Sequence, residues 1–176
     1  MLAFVLGGAA CVWDDVHAAM QIAIPAIVVA CNDAMTRWPG QLAAACSLHP
    51  EKLHGWLRER RRNGYDDPSA LYVKDGAADF GFDRTEFRFP GQENTGSSGL
   101  FALKVALTDC GADKAILCGV PMNTDPHFFS PDEWATAGMY WRGWEQALPV
   151  IRDRARSMSG RTQKVLGAPS PGWLLG

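Results

Sequence analysis

The chain has 176 residues, 47% hydrophobic and 20% charged, which suffices for one ordinary core and leaves no length for two full domains. Its formal net charge of -2 gives no global pull toward nucleic acid or an anionic membrane, and no stretch is long enough to span a bilayer. Five cysteines, an odd number with no C-x-x-C pair, sit mostly in apolar runs and read as reduced, buried thiols of a cytoplasmic protein.

Taken in order, Leu2 to Leu6 is an uncharged run that reads as a first strand. It lacks the basic flank and the apolar length of a signal peptide. Gly7-Gly8-Ala9-Ala10 turns the chain, and Asp14-Asp15 opens a helix that runs to about Gln21. Ala26 to Cys31 is a second strand ending in Asn32-Asp33. Strand, glycine turn, helix and strand within about thirty residues is the signature of a nucleotide-binding βαβ unit, although the full G-x-G-x-x-G is absent. Leu42 to Cys46 is a third strand leading into Ser47-Leu48-His49-Pro50.

Pro50 to Asn63 is helical, with Leu53, Trp56 and Leu57 on one face and Arg58, Arg60, Arg61 and Arg62 on the other, and Gly64 stops it. The arginine run reads as a solvated face. Leu71 to Val73 is a short strand. Between Lys74 and Asn94 no period holds, and Thr85 to Phe89 is the strand-like piece of a surface excursion.

Gly96 to Met122 is the most informative stretch. Thr95, Ser97 or Ser98 can cap a helix whose first-turn amides are open to an anion. Leu100 to Leu107 is apolar nearly all round except for Lys104, and Gly111 fits a left-handed stop. Ala115 to Cys118 reads as a strand buried on both faces. After Met122, a loop through Asn123 and His127 leads to a helix capped by Ser130 or Asp132. That helix carries Trp134, Met139, Trp141 and Trp144, is kinked or restarted at Pro149, and ends near Arg156.

These elements predict one α/β domain over residues 1–156 and an extended C-terminal tail over 157–176. The fold is Rossmann-like and doubly wound, a mostly parallel sheet with helices on both faces. Ligands of such sheets bind beyond the carboxyl ends of the strands. That rule selects Gly7 and Gly8 after the first strand, Asn32 and Asp33 after the second, Ser47 and His49 after the third, and Asn123 and His127 after the Cys118 strand. Ser97, Ser98 and Gly99 open a helix at the same edge. The histidines lack close acidic or cysteine companions, so no metal set is recognised.

The run Ser97-Ser98-Gly99-Leu100 through Ala115-Ile116-Leu117-Cys118-Gly119-Val120 resembles the Ser-Gly, helix, strand block of bacterial sialyltransferases of the Campylobacter type. It is also similar to that of motility accessory factors and archaeal 6-hydroxymethylpterin diphosphokinases. Val5-Leu6-Gly7-Gly8 and Cys31-Asn32-Asp33 resemble that superfamily's first nucleotide loop and its following asparagine. Ser47-Leu48-His49-Pro50 and Arg156 to Thr162 are similar to segments of short proteins encoded beside tailed-phage and prophage genes.

The resemblance implies that the glycine turn and the Ser-Ser-Gly helix start hold a nucleotide phosphate and that Asn32 contacts ribose or base. It also implies a nucleotide or nucleotide-sugar ligand, CMP-linked in the sialyltransferases, with no other cofactor. His127 takes the place of the general base on an acceptor hydroxyl, and His49 is the second candidate. Pro121 stands where the family has a strand-end aspartate, and the tyrosines that grip the donor phosphate are not evident. The leading function is therefore a nucleotide-binding, glycosyltransferase-like protein. Its first rival is a non-catalytic phage-related accessory or assembly protein that meets a protein partner through the Arg58–Arg62 face or the tail. A pterin or nucleotide phosphotransferase is the second rival, with Asp33, Asp125 and Asp132 as its carboxylates for magnesium.

Overall fold

The computed structural model describes residues 1–176. Seven strands form one sheet: β1 Leu2–Leu6, β2 Ile27–Cys31, β3 Ala44–Ser47, β4 Leu71–Lys74, β5 Asp83–Thr85, β6 Lys114–Cys118 and β7 Ala155–Ser157. Their order is β5-β4-β3-β2-β1-β6-β7, and every neighbouring pair is parallel. β1 is an interior strand, with Leu6 opposite Ala30 on one side and Cys118 on the other. The direction of winding reverses there, so the crevice between β1 and β6 is the topological switch point of the sheet.

Helices cover both faces because the central strands are apolar on both. Along β1, Ala3 and Val5 join a core with α3 (Ser98–Lys104) and α4 (Trp141–Ile151), while Phe4 and Leu6 join another with α1 (Val12–Met20) and α2 (Pro50–Arg62). The same alternation divides Ala115 and Leu117 from Ile116 and Cys118 on β6. Strands buried on two sides need uncharged sequence throughout, which is why these runs were recognisable as strands.

Several boundaries differ from expectation. β3 is displaced toward Ser47, and the edge strand β5 ends at Thr85 instead of running to Phe89. The Glu86 carboxylate accepts from the Arg88 amide and guanidinium, a local turn that competes with a ladder. No helix starts at Ser130 or Asp132, whose side chains bond each other and close a tight turn. A 3-10 turn at Ala137–Tyr140 leads instead into α4, which carries Pro149 near its end and stops at Ile151.

The extended tail is replaced by structure. Ser157 completes β7 beside Leu117, and two short helices follow, α5 (Gly160–Leu166) and α6 (Pro171–Leu175). Arg60 corrects the reading of the arginine run as a solvated face, since it is wholly buried and donates to the carbonyls of Met35, Trp38, Gly40 and Asp66 at 2.5–2.9 Å. A guanidinium fork is one of the few side chains able to satisfy several converging carbonyls at once. Burial lowers its pKa, against the opposing influence of Asp66 and Asp67.

Candidate functional site

A cavity of about 340 Å³ opens at the carboxyl ends of β1, β2, β3, β4 and β6, and it includes the switch point. Gly7, Gly8 and Ala9 form one wall, Gly119 to Met122 the next, and Ser97, Ser98 and Gly99 at the start of α3 a third. Cys31, Asn32, Leu48, His49, Lys74 and Phe87 line the side toward β4, and Asp125, His127, Trp134 and Tyr140 come from the loop after β6.

The glycine turn follows from close packing. A side chain on Gly7 would run into the carbonyl of Gly119, and one on Gly8 would come within 3.0 Å of His127 Nδ1 and 3.6 Å of Asp33 Oδ1. The loop after β6 is laid antiparallel on this turn. The Ala10 amide donates to Pro126 O at 2.9 Å and the Phe128 amide to Gly8 O at 3.0 Å. Between these contacts His127 Nδ1 lies 3.0 Å from Gly8 O. A carbonyl only accepts, so in this geometry Nδ1 carries the proton, and Nε2 of the neutral ring is left with its lone pair and no protein donor. Phe129 stacks on the imidazole with centroids 5.1 Å apart, and Trp134 packs against it at 5.6 Å.

Asn32 and Met122 are the chain's two non-glycine residues with positive φ, at 53° and 51°, and both line the cavity. Such left-handed conformations cost energy for side-chain-bearing residues and concentrate where a surface has been shaped for a ligand. The Asn32 amide is tied down by Ser47, whose hydroxyl donates to Asn32 Oδ1 at 2.7 Å and accepts from the His49 amide at 2.8 Å. Ser47 is completely buried and does not itself line the cavity.

The remaining candidates are sorted by their contacts. Ser97 caps α3 and accepts from the buried indole of Trp144 at 3.2 Å, so its oxygen is largely committed to the fold. Ser98 lines the cavity with no protein partner for its hydroxyl. His49 is half exposed at the rim, its Nδ1 3.6 Å from Glu51. Asp33 stands behind the glycine turn, outside the lining, and burial pushes its carboxyl up to about 6, with Glu59 raising it further and Lys52 opposing. Asn123 is also outside the lining and holds Asp125 by a 2.7 Å bond. Burial pushes the lining thiol of Cys31 up to about 12, which keeps it protonated and un-nucleophilic.

Sequence reasoning missed Lys74, Phe87, Trp134 and Tyr140. Lys74 ends β4, so the strand-end rule applied to that short strand would have found it; Trp134 lies on a loop and Tyr140 ends the 3-10 turn, where the spacing of Trp134 and Trp141 suggested one continuous helix. Lys74 is the one lysine or arginine of the lining, and Asp125 its one carboxylate. No three His, Cys, Asp or Glu side chains come together as ligands for a metal ion, and Asp33, Asp125 and Asp132 are accordingly apart. No helix is long and apolar enough to cross a membrane.

The floor of the site is braced from an unexpected quarter. Asp15, on α1, accepts from the Gly119 amide at 2.8 Å and from Ser159 Oγ at 2.7 Å. Thr162 donates to Val120 O, and the Arg161 amide donates to Pro121 O at 2.7 Å. The segment from Ser157 to Thr162 thus underpins the loop between β6 and the cavity. Burial pushes the neighbouring Cys11 thiol up to about 11, with Asp15 adding to the effect and Ser159 opposing it.

No protein-family model matches the sequence, and no curated protein matches it either. Among solved structures, the sialyltransferase CstII from Campylobacter jejuni, in complex with the substrate analogue CMP-3FNeuAc, is similar with a TM-score of 0.64 and 10% identity over 94% of this chain and 85% of that one. A tyrosine-to-phenylalanine variant of the sialyltransferase Cst-II in complex with CMP gives a TM-score of 0.65, again at 10% identity, with the same coverage. At that identity the similarity is one of fold: the chain has the Rossmann-like α/β architecture of those sialyltransferases over nearly its whole length.

Proposed function

We propose that the strand-end cavity binds a nucleotide or nucleotide-linked sugar and that the protein is a glycosyltransferase. His127 is the general base on the acceptor hydroxyl. The observation that carries this reading is the bond between His127 Nδ1 and Gly8 O, which fixes the proton on one nitrogen and leaves Nε2 to accept another. The same bond seats the base on the glycine turn, so proton acceptance and phosphate binding fall within one cavity. The Gly8 amide, the free hydroxyl of Ser98 and the amide of Asn32 are neutral donors suited to a phosphodiester and a ribose, the Gly7 and Ala9 amides being spent on the carbonyls of Cys118 and Gly119. The ligands carried by the similar sialyltransferases, CMP and CMP-3FNeuAc, give the class of compound to try first.

Transfer then proceeds by attack of the acceptor oxygen on the anomeric carbon. The acceptor proton passes to Nε2, the bond from that carbon to the phosphate oxygen breaks, and the nucleotide, CMP where the donor is CMP-linked and a nucleoside diphosphate where it is a diphosphate sugar, leaves with the electron pair. The test is a thermal-shift screen against CMP, CDP, UDP, GDP, ADP and their sugar conjugates, with and without magnesium, followed by a transfer assay with the donor that binds. One nucleotide should raise Tm by mass action. His127→Ala should keep that shift and lose turnover. No shift with any of the compounds would remove the transferase reading.

A further inference from the structure

We infer that Ser47, buried and outside the cavity, is a positioning residue that sets which end of the Asn32 amide faces the ligand. The inference rests on the nucleotide reading for the identity of the ligand and on hydrogen-bond geometry for the rest. Both roles of the Ser47 hydroxyl are settled by its neighbours. The His49 amide can only donate, so Ser47 Oγ accepts from it at 2.8 Å; the hydroxyl is completely buried and its one remaining partner is Asn32 at 2.7 Å, so its proton goes there. An acceptor is required at that end of the Asn32 side chain, which places Oδ1 there and turns Nδ2 away from Ser47. Asn32 borders the cavity with its backbone in the left-handed region at φ 53°, and the bond from Ser47 restrains its amide.

The consequence is a rule for the ligand. Position 32 presents an N–H donor and no acceptor, so it takes a phosphate, carbonyl or ribose oxygen carrying a lone pair and rejects a group that must donate. The His49 amide, at the junction with α2, sends this polarity through Ser47 to the end of β2, and bonds in such a chain reinforce one another. Position 47 accordingly needs a small side chain that donates and accepts at once in a completely buried space. Serine meets that need, while alanine and valine do not.

CMP is the probe for the test, with affinities measured by titration calorimetry. Ser47→Ala should weaken CMP binding by about tenfold, the effect of freeing one oriented donor. In an Asn32→Ala background the same change should alter Kd by less than about twofold, because the residue through which Ser47 acts is gone. A tenfold loss in both backgrounds would overturn the inference. Should Ser47→Ala not fold, Asn32→Asp carries the test, since it keeps an acceptor for Ser47 but turns an oxygen toward the cavity. It should lower CMP affinity by at least about a hundredfold with Tm preserved, and unchanged affinity would overturn the proposal.

A ligand-free measurement separates this inference from the nucleotide reading. In the wild-type protein the Asn32 side-chain amide should give two well-dispersed proton resonances, which move toward random-coil positions in Ser47→Ala. Wild-type protein that fails to bind CMP would count against the nucleotide reading, while the amide resonances would still decide the relay. Resonances unmoved in Ser47→Ala would end it.

Discussion

Asn32 and Asp33 are adjacent at the end of one strand, yet one faces the cavity and the other is pressed behind the glycine turn. The environment of Asp33 has a readable cost. Its folded pKa is raised to about 6, against about 3.9 in an unfolded chain, so its neutral form is favoured in the fold. That contribution to stability is complete below about pH 4 and is lost as pH rises through about 6. Asp33→Asn should therefore raise Tm at pH 7.5 and leave it nearly unchanged at pH 4. Because the carboxyl retains some solvent contact, the gain is on the order of 1 kcal/mol. Thermal melts at the two pH values decide it, and equal effects at both would refute the assignment. For His127 the expected outcome is kinetic: His127→Gln should lower turnover about a hundredfold or more while nucleotide Kd changes little.

At the scale of the elements, Arg60 is the residue that joins α2 to the loops beside it. Arg60→Met would keep some of the volume and abandon the carbonyls of Met35, Trp38, Gly40 and Asp66 together. Unmet buried acceptors should cost about 3 kcal/mol or more, seen as a fall in the urea midpoint. Arg58 and Arg62, exposed on the same helix, should each tolerate methionine within about 0.5 kcal/mol. This contrast also marks where sequence reading stopped. The sequence reading sets Arg60 with the other arginines on the solvated face, although the spacing 53, 57, 60 turns it toward the apolar one, and a buried guanidinium is recognised only when distant carbonyls converge on it. The central strands were legible because two-sided burial demands uncharged runs. β7 was not, since Ala155-Arg156-Ser157 is short, carries a charge and sits at the sheet edge. Of the site, the strand ends bearing glycine, asparagine and histidine were legible from the parallel topology. The separation of Ser98 from Ser97 was not, because it depends on where Trp144 donates.

For the molecule as a whole, the C-terminal segment is an internal part of the fold. Removing residues 158–176 would strip the Asp15 carboxylate of Ser159 and the β6 loop of Thr162 and the Arg161 amide. The truncated chain should melt well below the intact one and fail to bind nucleotide. A truncation that kept both stability and binding would return the tail to the role of a partner-binding extension.

The link between Asp15 and Ser159 spans 144 positions of sequence. Ribosomes deliver a chain from its N-terminus at about 5–20 residues per second, so Asp15 emerges roughly 7–29 seconds before the hydroxyl that completes its shell. Throughout that interval the nascent protein carries its glycine turn and first helix without the brace beneath the β6 loop. Vectorial synthesis therefore withholds the finished pocket floor until residues 159–162 arrive, and a ribosome stalled short of position 159 would display a chain whose β6 loop is still unbraced.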